Sequence, residues 1–264
     1  MNIRHQKLTR YISPLREGGS LPALAEADDG FKYVVKFRGA GHGVKALIAE
    51  LIGGEVARRI GLNVPELVFL DVDDRFGITE GDEEIQDLLK WSEGLNIGLH
   101  FLSGALTLDP YVNPVDAETA SKIVWLDAFI TNVDRTAVNT NMLLWHGHEI
   151  WMIDHGAAFY FHHSWRDLDK APLATFGQII SRHSMLHKAS RLKEIDKEMH
   201  AILSDSDFRE IVDLIPSDWL KWCSEVDMTE DQVRDVYFNF LSVRFRNSGL
   251  FINAADDERR KLLV

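Results

Sequence analysis

One cysteine, Cys223, is all that this chain of 264 residues contains, so no internal disulfide is available to hold it together, and a reducing compartment suits it. It sits in a tryptophan-rich helical pattern where a packed thiol is expected rather than a nucleophile. Long apolar runs are missing too: nowhere do about 18 such residues follow one another, the length needed to cross a bilayer. The opening MNIRHQKLTRYIS is basic and polar without an apolar signal core, so neither a membrane span nor secretion is supported and the expected location is cytoplasmic. Positive charge is scarce, with 29 Lys and Arg against 41 Asp and Glu for a net charge of −12. That argues against direct binding to a nucleic-acid backbone and for a neutral or basic protein partner. Internal repeats and low-complexity tracts are absent. The histidine pairs His146/His148 and His162/His163 come without accompanying cysteines and at hairpin and loop spacings, which argues against a zinc site. What remains is 45 % hydrophobic, enough apolar material for a full core in one two-lobed domain or two small domains.

Against this background one stretch carries chemistry: FITNVDRTAVNTNMLLWHGHEIWMIDHG, from Phe129 to Gly156. It puts Asp134 on a polar turn, Asn139 and Asn141 just beyond, and an apolar strand pair that ends in Asp154-His155-Gly156. Phosphoryl transfer from a nucleotide needs such a set. One carboxylate accepts the proton of the acceptor hydroxyl, while an amide oxygen and a second carboxylate hold Mg²⁺ against the phosphates. The offset of five from Asp134 to Asn139 is that of the D-x-x-x-x-N catalytic loop of protein kinases, and the hairpin ending Ile153-Asp154-His155-Gly156 matches the stretch that leads to D-F-G. Counting forward from Asp134 selects Asn139 as the metal ligand. Counting back from Asp154, and the apolar Met142-Leu143-Leu144, selects Asn141.

Upstream, Gly18, Gly19 and Ser20 precede an expected strand and the turn Asp28-Asp29-Gly30. A glycine pair lets backbone amides approach phosphates closely, although this is neither a Walker motif nor G-x-G-x-x-G. The run Tyr33-Val34-Val35-Lys36-Phe37 reads as a strand with one lysine inside it, similar to the V-A-I-K strand whose lysine binds nucleotide phosphates and pairs with a helix glutamate. A helix over Lys45–Ile60 offers Glu50 and Glu55 for that pairing, with Gly61 and Pro65 as stop signals. Arg38–Gly43 is a glycine-rich connection. Leu67–Val72 and Phe76–Ile78 suggest further strands, Glu80–Asp87 a solvated acidic face, and Gly94–Phe101, with Asn96 in it, the hinge where backbone groups read adenine. Asp116–Thr131 reads as a helix, with Asp116 as cap and Ile123, Leu126, Phe129 and Ile130 along one face. From Ala171 onward helices are expected around Phe176–His187, Leu192–Leu203, Ser206–Leu214, Pro216–Val226 and Thr229–Phe245, with Trp219, Trp222, Tyr237 and Phe240 in the core.

These motifs, in this order over roughly residues 17–165, resemble the HipA-like kinases, in particular their short branch, and the pair Asp134-Arg135 is further similar to phosphoinositide kinases. The resemblance implies an α+β, two-lobed protein kinase-like fold with a small β-rich N-lobe and a mostly helical C-lobe. It would be a single domain over residues 1–264, divided near residue 100, without the extra N-terminal subdomain of full-length HipA toxins. It implies an ATP- and Mg²⁺-dependent phosphotransferase acting on a serine or threonine of a protein. By the same likeness Glu50 rather than Glu55 holds Lys36, and Lys36 positions the phosphates. Gly18, Gly19 and Ser20 cover the nucleotide, Asn96 and Phe101 lie beside it, and Asp134 is the base. Asp154 with Asn139 or Asn141 holds the metal. Ser20 would be the counterpart of a serine that HipA relatives autophosphorylate. The chain departs from its relatives at Arg135, followed by no lysine at Asp plus two, so Arg135 would steady a phosphate instead, and at His155, which replaces the phenylalanine of D-F-G. Two other readings share these residues: a kinase for a small molecule or lipid head group, and a nucleotide-binding module without turnover.

Overall fold

The computed structural model describes residues 2–15, 21–77 and 81–262. Period-two patterning builds its first part. In β2 (Ala23–Ala27) every second residue is a buried alanine, and in β3 (Lys32–Lys36) the buried Tyr33 and Val35 face them, paired Tyr33 to Ala25 and Val35 to Ala23. Large side chains on one strand thus fill the space left by small ones on the next. β1 (Arg4–Pro14) pairs antiparallel with β2 and parallel with β4 (Leu67–Val72), and β5 (Gly94–His100) joins β3 to β4, closing a barrel in the order β1-β2-β3-β5-β4. A Cβ at Gly98 would collide with Leu70 inside it. Leu8, Phe37, Val68, Leu70 and Val72 fill the barrel, and α2 (Glu83–Trp91) closes one end with Ile85, Leu88 and Leu89.

A second, larger core lies below. α1 (Gly43–Arg59) follows the barrel's third strand, yet its Leu47, Ile48, Leu51 and Ile52 pack in one cluster with α3 (Ala117–Ile130) rather than inside the barrel. A small sheet of β6 (Leu106–Thr107), β7 (Met142–Trp145) and β8 (Glu149–Met152) adds Met142 and Met152 to this cluster, and α4 (Phe161–Ser164), α5 (Gly177–Ile180), α6 (Leu192–Ile202), α7 (Asp205–Val212), α8 (Glu230–Arg246) and α9 (Gly249–Lys261) complete the helical body. The expected caps are in place: Asp116 accepts the Thr119 N–H at 2.9 Å, and Thr229 with Gln232 forms a capping box on α8. Trp219, Tyr237 and Phe240 are buried, and the Trp219 indole donates to Leu95 O at 2.8 Å, joining the helical body to the barrel. Among the described residues no helix is long and apolar enough to cross a membrane.

Several elements differ from the sequence reading. Arg4–Pro14 is a strand although only Leu8 in it is buried, so its apolar alternation is nearly silent. The segment read as an acidic face runs into α2, which is capped by Asp82 and acidic in its first turn. Phe76 and Gly77 form a turn, and Ile78 lies outside the described residues. The stretch 94–100 is a barrel strand, so the link to the helical body falls at residues 101–105. The expected helix over Phe176–His187 is only α5, a turn and a 3₁₀ turn, Ser217–Val226 is 3₁₀ rather than α, and α9 was not anticipated.

Candidate active site

Lys36 enters the site from the end of β3, where it pairs with Ile97. Its ammonium lies 2.6 Å from Glu50 Oε2 and 2.5 Å from Asp154 Oδ1. Burial works against the charge on Lys36, but Asp154 and Glu50 outweigh it and hold the group above the ordinary lysine range. Burial likewise pushes the Glu50 carboxyl up. The Lys36 charge and the His155 side chain more than reverse this and hold it well below the ordinary range. Both partners are therefore ionised. Glu55, the competing candidate, turns instead toward Arg58 at 3.3 Å.

The helix that carries Glu50 can come this close because of its glycines. A Cβ on Gly53 would stand 2.7 Å from the His155 Cβ and 3.1 Å from Ile130 Cδ1, and one on Gly54 would stand 2.9 Å from Leu67 Cδ1. Each glycine costs a helix about 0.5–1 kcal/mol relative to alanine, and here the contact requires it. His155, fully buried, fills the space beneath Gly53, and its backbone N–H donates to Glu50 Oε2 at 2.8 Å.

On the other side α3 ends at Thr131, in left-handed conformation at φ 54°, and releases the loop with Asp134. The loop is held from below by Asp127, a fully buried carboxylate. It accepts Asn132 Nδ2 at 2.9 Å, Arg135 Nε at 2.5 Å and His183 Nε2 at 2.9 Å. Because Met185 N–H donates to His183 Nδ1 at 3.0 Å, the proton of the neutral ring is on Nε2, facing Asp127. Burial pushes Asp127 up, and the charge of Arg135 with the His183 hydrogen bond overrides it, leaving the group well below the ordinary range. Asn132 Oδ1 then accepts the Asp134 N–H at 3.2 Å.

This geometry corrects the role expected of Arg135. Its guanidinium is buried, donates to Asp127 and to the carbonyls of Thr140, Asn141 and Ile153, and holds the loop against the β7–β8 hairpin. Nη2 has no partner but is buried with the rest of the group, so the guanidinium lies beneath the loop rather than at its open face. Asn96 also leaves the list of nucleotide contacts. It is fully buried in the barrel, with Oδ1 accepting Arg38 N–H and Nδ2 donating to Ser92 O and Gly94 O, each at 2.8 Å. Phe101 is half-buried on the link between barrel and helical body. Gly18, Gly19 and Ser20 lie outside the described residues.

Asp134 itself is half-buried, with Oδ2 accepting Asn139 Nδ2 at 2.7 Å and Asn141 Nδ2 at 3.3 Å. Burial, then the negative charge of Asp154, raise its pKa above the ordinary carboxylate value, the direction that suits a proton acceptor. Asn141 and Asp154 close the same hairpin: Met142 pairs with Met152, and Ile153 N–H donates to Asn141 O at 3.1 Å. Both residues adopt left-handed backbone, φ 49° and 57°, a conformation more tolerated by Asn and Asp than by other side chains but still uncommon. Each asparagine spends its NH₂ on Asp134, which leaves its amide oxygen turned the other way. A hard divalent cation takes oxygen donors of this kind, carboxylate and amide, so the residues present fit one. No group of three or more His, Cys, Asp or Glu side chains converges as a metal site among the described residues.

Asp127 and His183 are the functional residues that sequence reasoning missed. For Asp127 a signal existed: a lone carboxylate among Val124, Trp125, Leu126, Ala128 and Phe129 has to be paired, since an unpaired buried charge is too costly. His183 had none, because only the fold brings residues 56 apart together.

A β-barrel with a strand lysine clamped by a helix glutamate, set over a helix-borne loop with a base, two amides and a second carboxylate, defines a kinase-like α+β fold. A family model, HipA-like kinase, matches residues 8–248, and the chain belongs to the HipA-like kinases. Among solved structures it is similar to a Helicobacter pylori proinflammatory kinase, CtkA, with a TM-score of 0.53 and 11 % identity over 100 % of this chain and 99 % of that chain. A MAP kinase of Leishmania major, LmaMPK10, is matched at a TM-score of 0.28 and 11 % identity over 95 % of this chain and 83 % of that one. No curated protein matches in sequence.

Proposed function

We propose that this kinase transfers the γ-phosphoryl group of Mg-ATP to a serine or threonine hydroxyl of a protein. The observation that carries the reading is the convergence of Lys36, clamped by Glu50 and Asp154, with an Asp134 whose carboxylate is oriented by Asn139 and Asn141. Lys36 positions the α- and β-phosphates. The acceptor oxygen bonds to Pγ as its proton passes to the Asp134 carboxylate. The bond from Pγ to the bridging oxygen breaks, and ADP leaves with the electron pair. Asp154 and Asn141 would hold the divalent cation, which supplies charge neutralisation to the phosphates. The hairpin register favours Asn141 for this role, while Asn139, the tighter partner of Asp134, orients the base.

The head-group reading drew on Asp134-Arg135, and it loses support now that the Arg135 guanidinium is committed to Asp127 and three carbonyls. A silent binding module does not need the full set of Lys36, Asp134 and Asp154. Incubation with γ-labelled ATP separates the three readings. Label in protein, lost in Asp134→Asn, is expected. Label confined to a small-molecule or lipid fraction, or none at all, would overturn the proposal.

A further inference from the structure

Three large apolar side chains stand in solvent beside the catalytic loop: Val138 is 98 % exposed, Val112 76 % and Tyr111 69 %. Single exposed apolar residues are ordinary, but here the backbone beneath them is built to hold them out. In the turn that carries Tyr111 and Val112, Asp109 Oδ1 accepts the Tyr111 N–H at 2.8 Å, and the Asp109 N–H donates to Asn113 Oδ1 at 2.8 Å. In the catalytic loop the Thr136 N–H donates to Asn139 O at 2.9 Å, leaving Ala137 and Val138 at the tip.

The two turns share a footing. Thr140 Oγ1 donates to Leu108 O at 2.9 Å, and the Leu108 N–H donates to Met142 O at 2.9 Å. The segment 183–188 braces both. Ser184 N–H donates to Arg135 O at 3.1 Å, the His187 ring stacks on Tyr111 at 4.9 Å with planes 5° apart, and Lys188 Nζ donates to Asn113 O at 3.2 Å. Tyr111 is thus fixed on one ring face and open on the rest, so little ordering entropy remains to be lost when a partner covers it.

We infer that Tyr111, Val112 and Val138 form the acceptor platform of this kinase, and that they receive an aliphatic or aromatic side chain next to the serine or threonine of an extended polypeptide. The inference rests on the function proposed above and names its substrate class. Val138 lies four residues from Asp134 in the same loop, and the residue after it, Asn139, holds the Asp134 carboxylate at 2.7 Å, which ties the platform to the proposed base through one residue. A phosphorylated head group would call for free cations. Beside the platform the chain offers Lys188, already bonded to a carbonyl, and one exposed arginine, Arg182, next to the bracing segment, against three exposed apolar side chains.

The test is a positional-scanning array of peptides with a fixed Ser or Thr, phosphorylated by the full chain with labelled Mg-ATP. A preference for aliphatic or aromatic residues at one or two positions beside the acceptor is expected. For the best peptide, Val138→Asp and Tyr111→Ala each raise KM about 10-fold, the scale of one lost apolar contact in a pocket. The KM for ATP and kcat stay within twofold, and Val138→Ile keeps the preference. Circular dichroism of the variants checks that they are folded. Transfer to peptides with no apolar preference, or with unchanged KM in both variants, overturns the platform and leaves the kinase reading intact. Label that enters only phosphatidylinositol vesicles or a small-molecule fraction overturns the platform and the protein-substrate reading together.

Discussion

Glu50 Oε2 accepts two hydrogen bonds at once, from the Lys36 ammonium at 2.6 Å and from the His155 backbone N–H at 2.8 Å. One carboxylate on α1 therefore sets the position of Lys36 and of the segment that presents Asp154. Because Lys36 also reaches Asp154, strand, helix and hairpin are locked into one ionic cluster in which each charge depends on the others.

Lys36→Met should abolish Mg-ATP binding and also destabilise the fold, since Glu50 is left as a buried charge without its cation, a change that typically costs about 3–5 kcal/mol. The double variant Lys36→Met/Glu50→Gln should recover most of that stability and none of the binding. Thermal denaturation and calorimetry on the single and double variants measure the two effects separately. An unchanged melting temperature in the single variant would show that the pair is not coupled as described.

Asp134→Asn should bind Mg-ATP nearly as well as the parent and lose about 10²- to 10⁴-fold in transfer rate, the usual range for removal of a general base. Since Asp134 is active when deprotonated and its pKa is raised by burial and by Asp154, transfer falls as pH drops through that raised value. The acid limb of kcat/KM, which reports the free enzyme, should thus lie above the ordinary aspartate value of 3.8. A limb at or below that value argues for another base.

Between the amides, Asn141→Ala should lose far more turnover than Asn139→Ala, because a ligand to the cation acts on the charged transition state. Asp154→Asn should remove the Mg²⁺ dependence of nucleotide binding. Labelled-phosphate transfer assays read the first and titration calorimetry with and without Mg²⁺ the second, and equal mild losses of turnover in the two asparagine variants would mean that neither is a ligand.

Asp127→Asn should cost about 3–5 kcal/mol by leaving the buried Arg135 without a counter-charge. Asp127 and Glu50 have folded-state values below their unfolded ones, so their stabilisation is fully present at neutral pH and is lost as pH falls below about 5. Urea melts over that range should show a shallower acid dependence in Asp127→Asn than in the parent. Parallel curves would contradict the assignment.

Gly53→Ala adds a methyl group 2.7 Å from the His155 Cβ, so α1 must move outward and carry Glu50 away from Lys36. A loss of about 1–3 kcal/mol in stability is expected, together with weaker Mg-ATP binding. Gly61→Ala would meet no atom within 4 Å but would strain a backbone at φ 80°, so it should lower stability and leave binding unchanged.

The candidate site was legible in the sequence because the groups proposed to act on a phosphate sit in short local patterns. Lys36 lies inside a β-branched run, Asp134 and the two asparagines lie within eight residues, and Asp154 ends an apolar hairpin, so strand periodicity and turn chemistry were enough to place them. The same local logic misplaced Arg135 and Asn96, whose types suggest ligand contact while their surroundings, visible only in three dimensions, are buried and hydrogen-bonded. It missed β1, whose exposed face hides the alternation, and α2, whose capping Asp82 and apolar Ile85, Leu88 and Leu89 were outweighed by acidic composition. The choice between Glu50 and Glu55 turned on the family likeness in sequence and on the Lys36–Glu50 contact in the structure. What the tertiary structure alone decided is the network of Asp127, His183 and Arg135 and the apolar tips joined through Thr140 and Leu108. Its cause is physical: a buried charge or an outward-held side chain is defined by what surrounds it, and those surroundings come from segments 32 to 56 residues away in the chain.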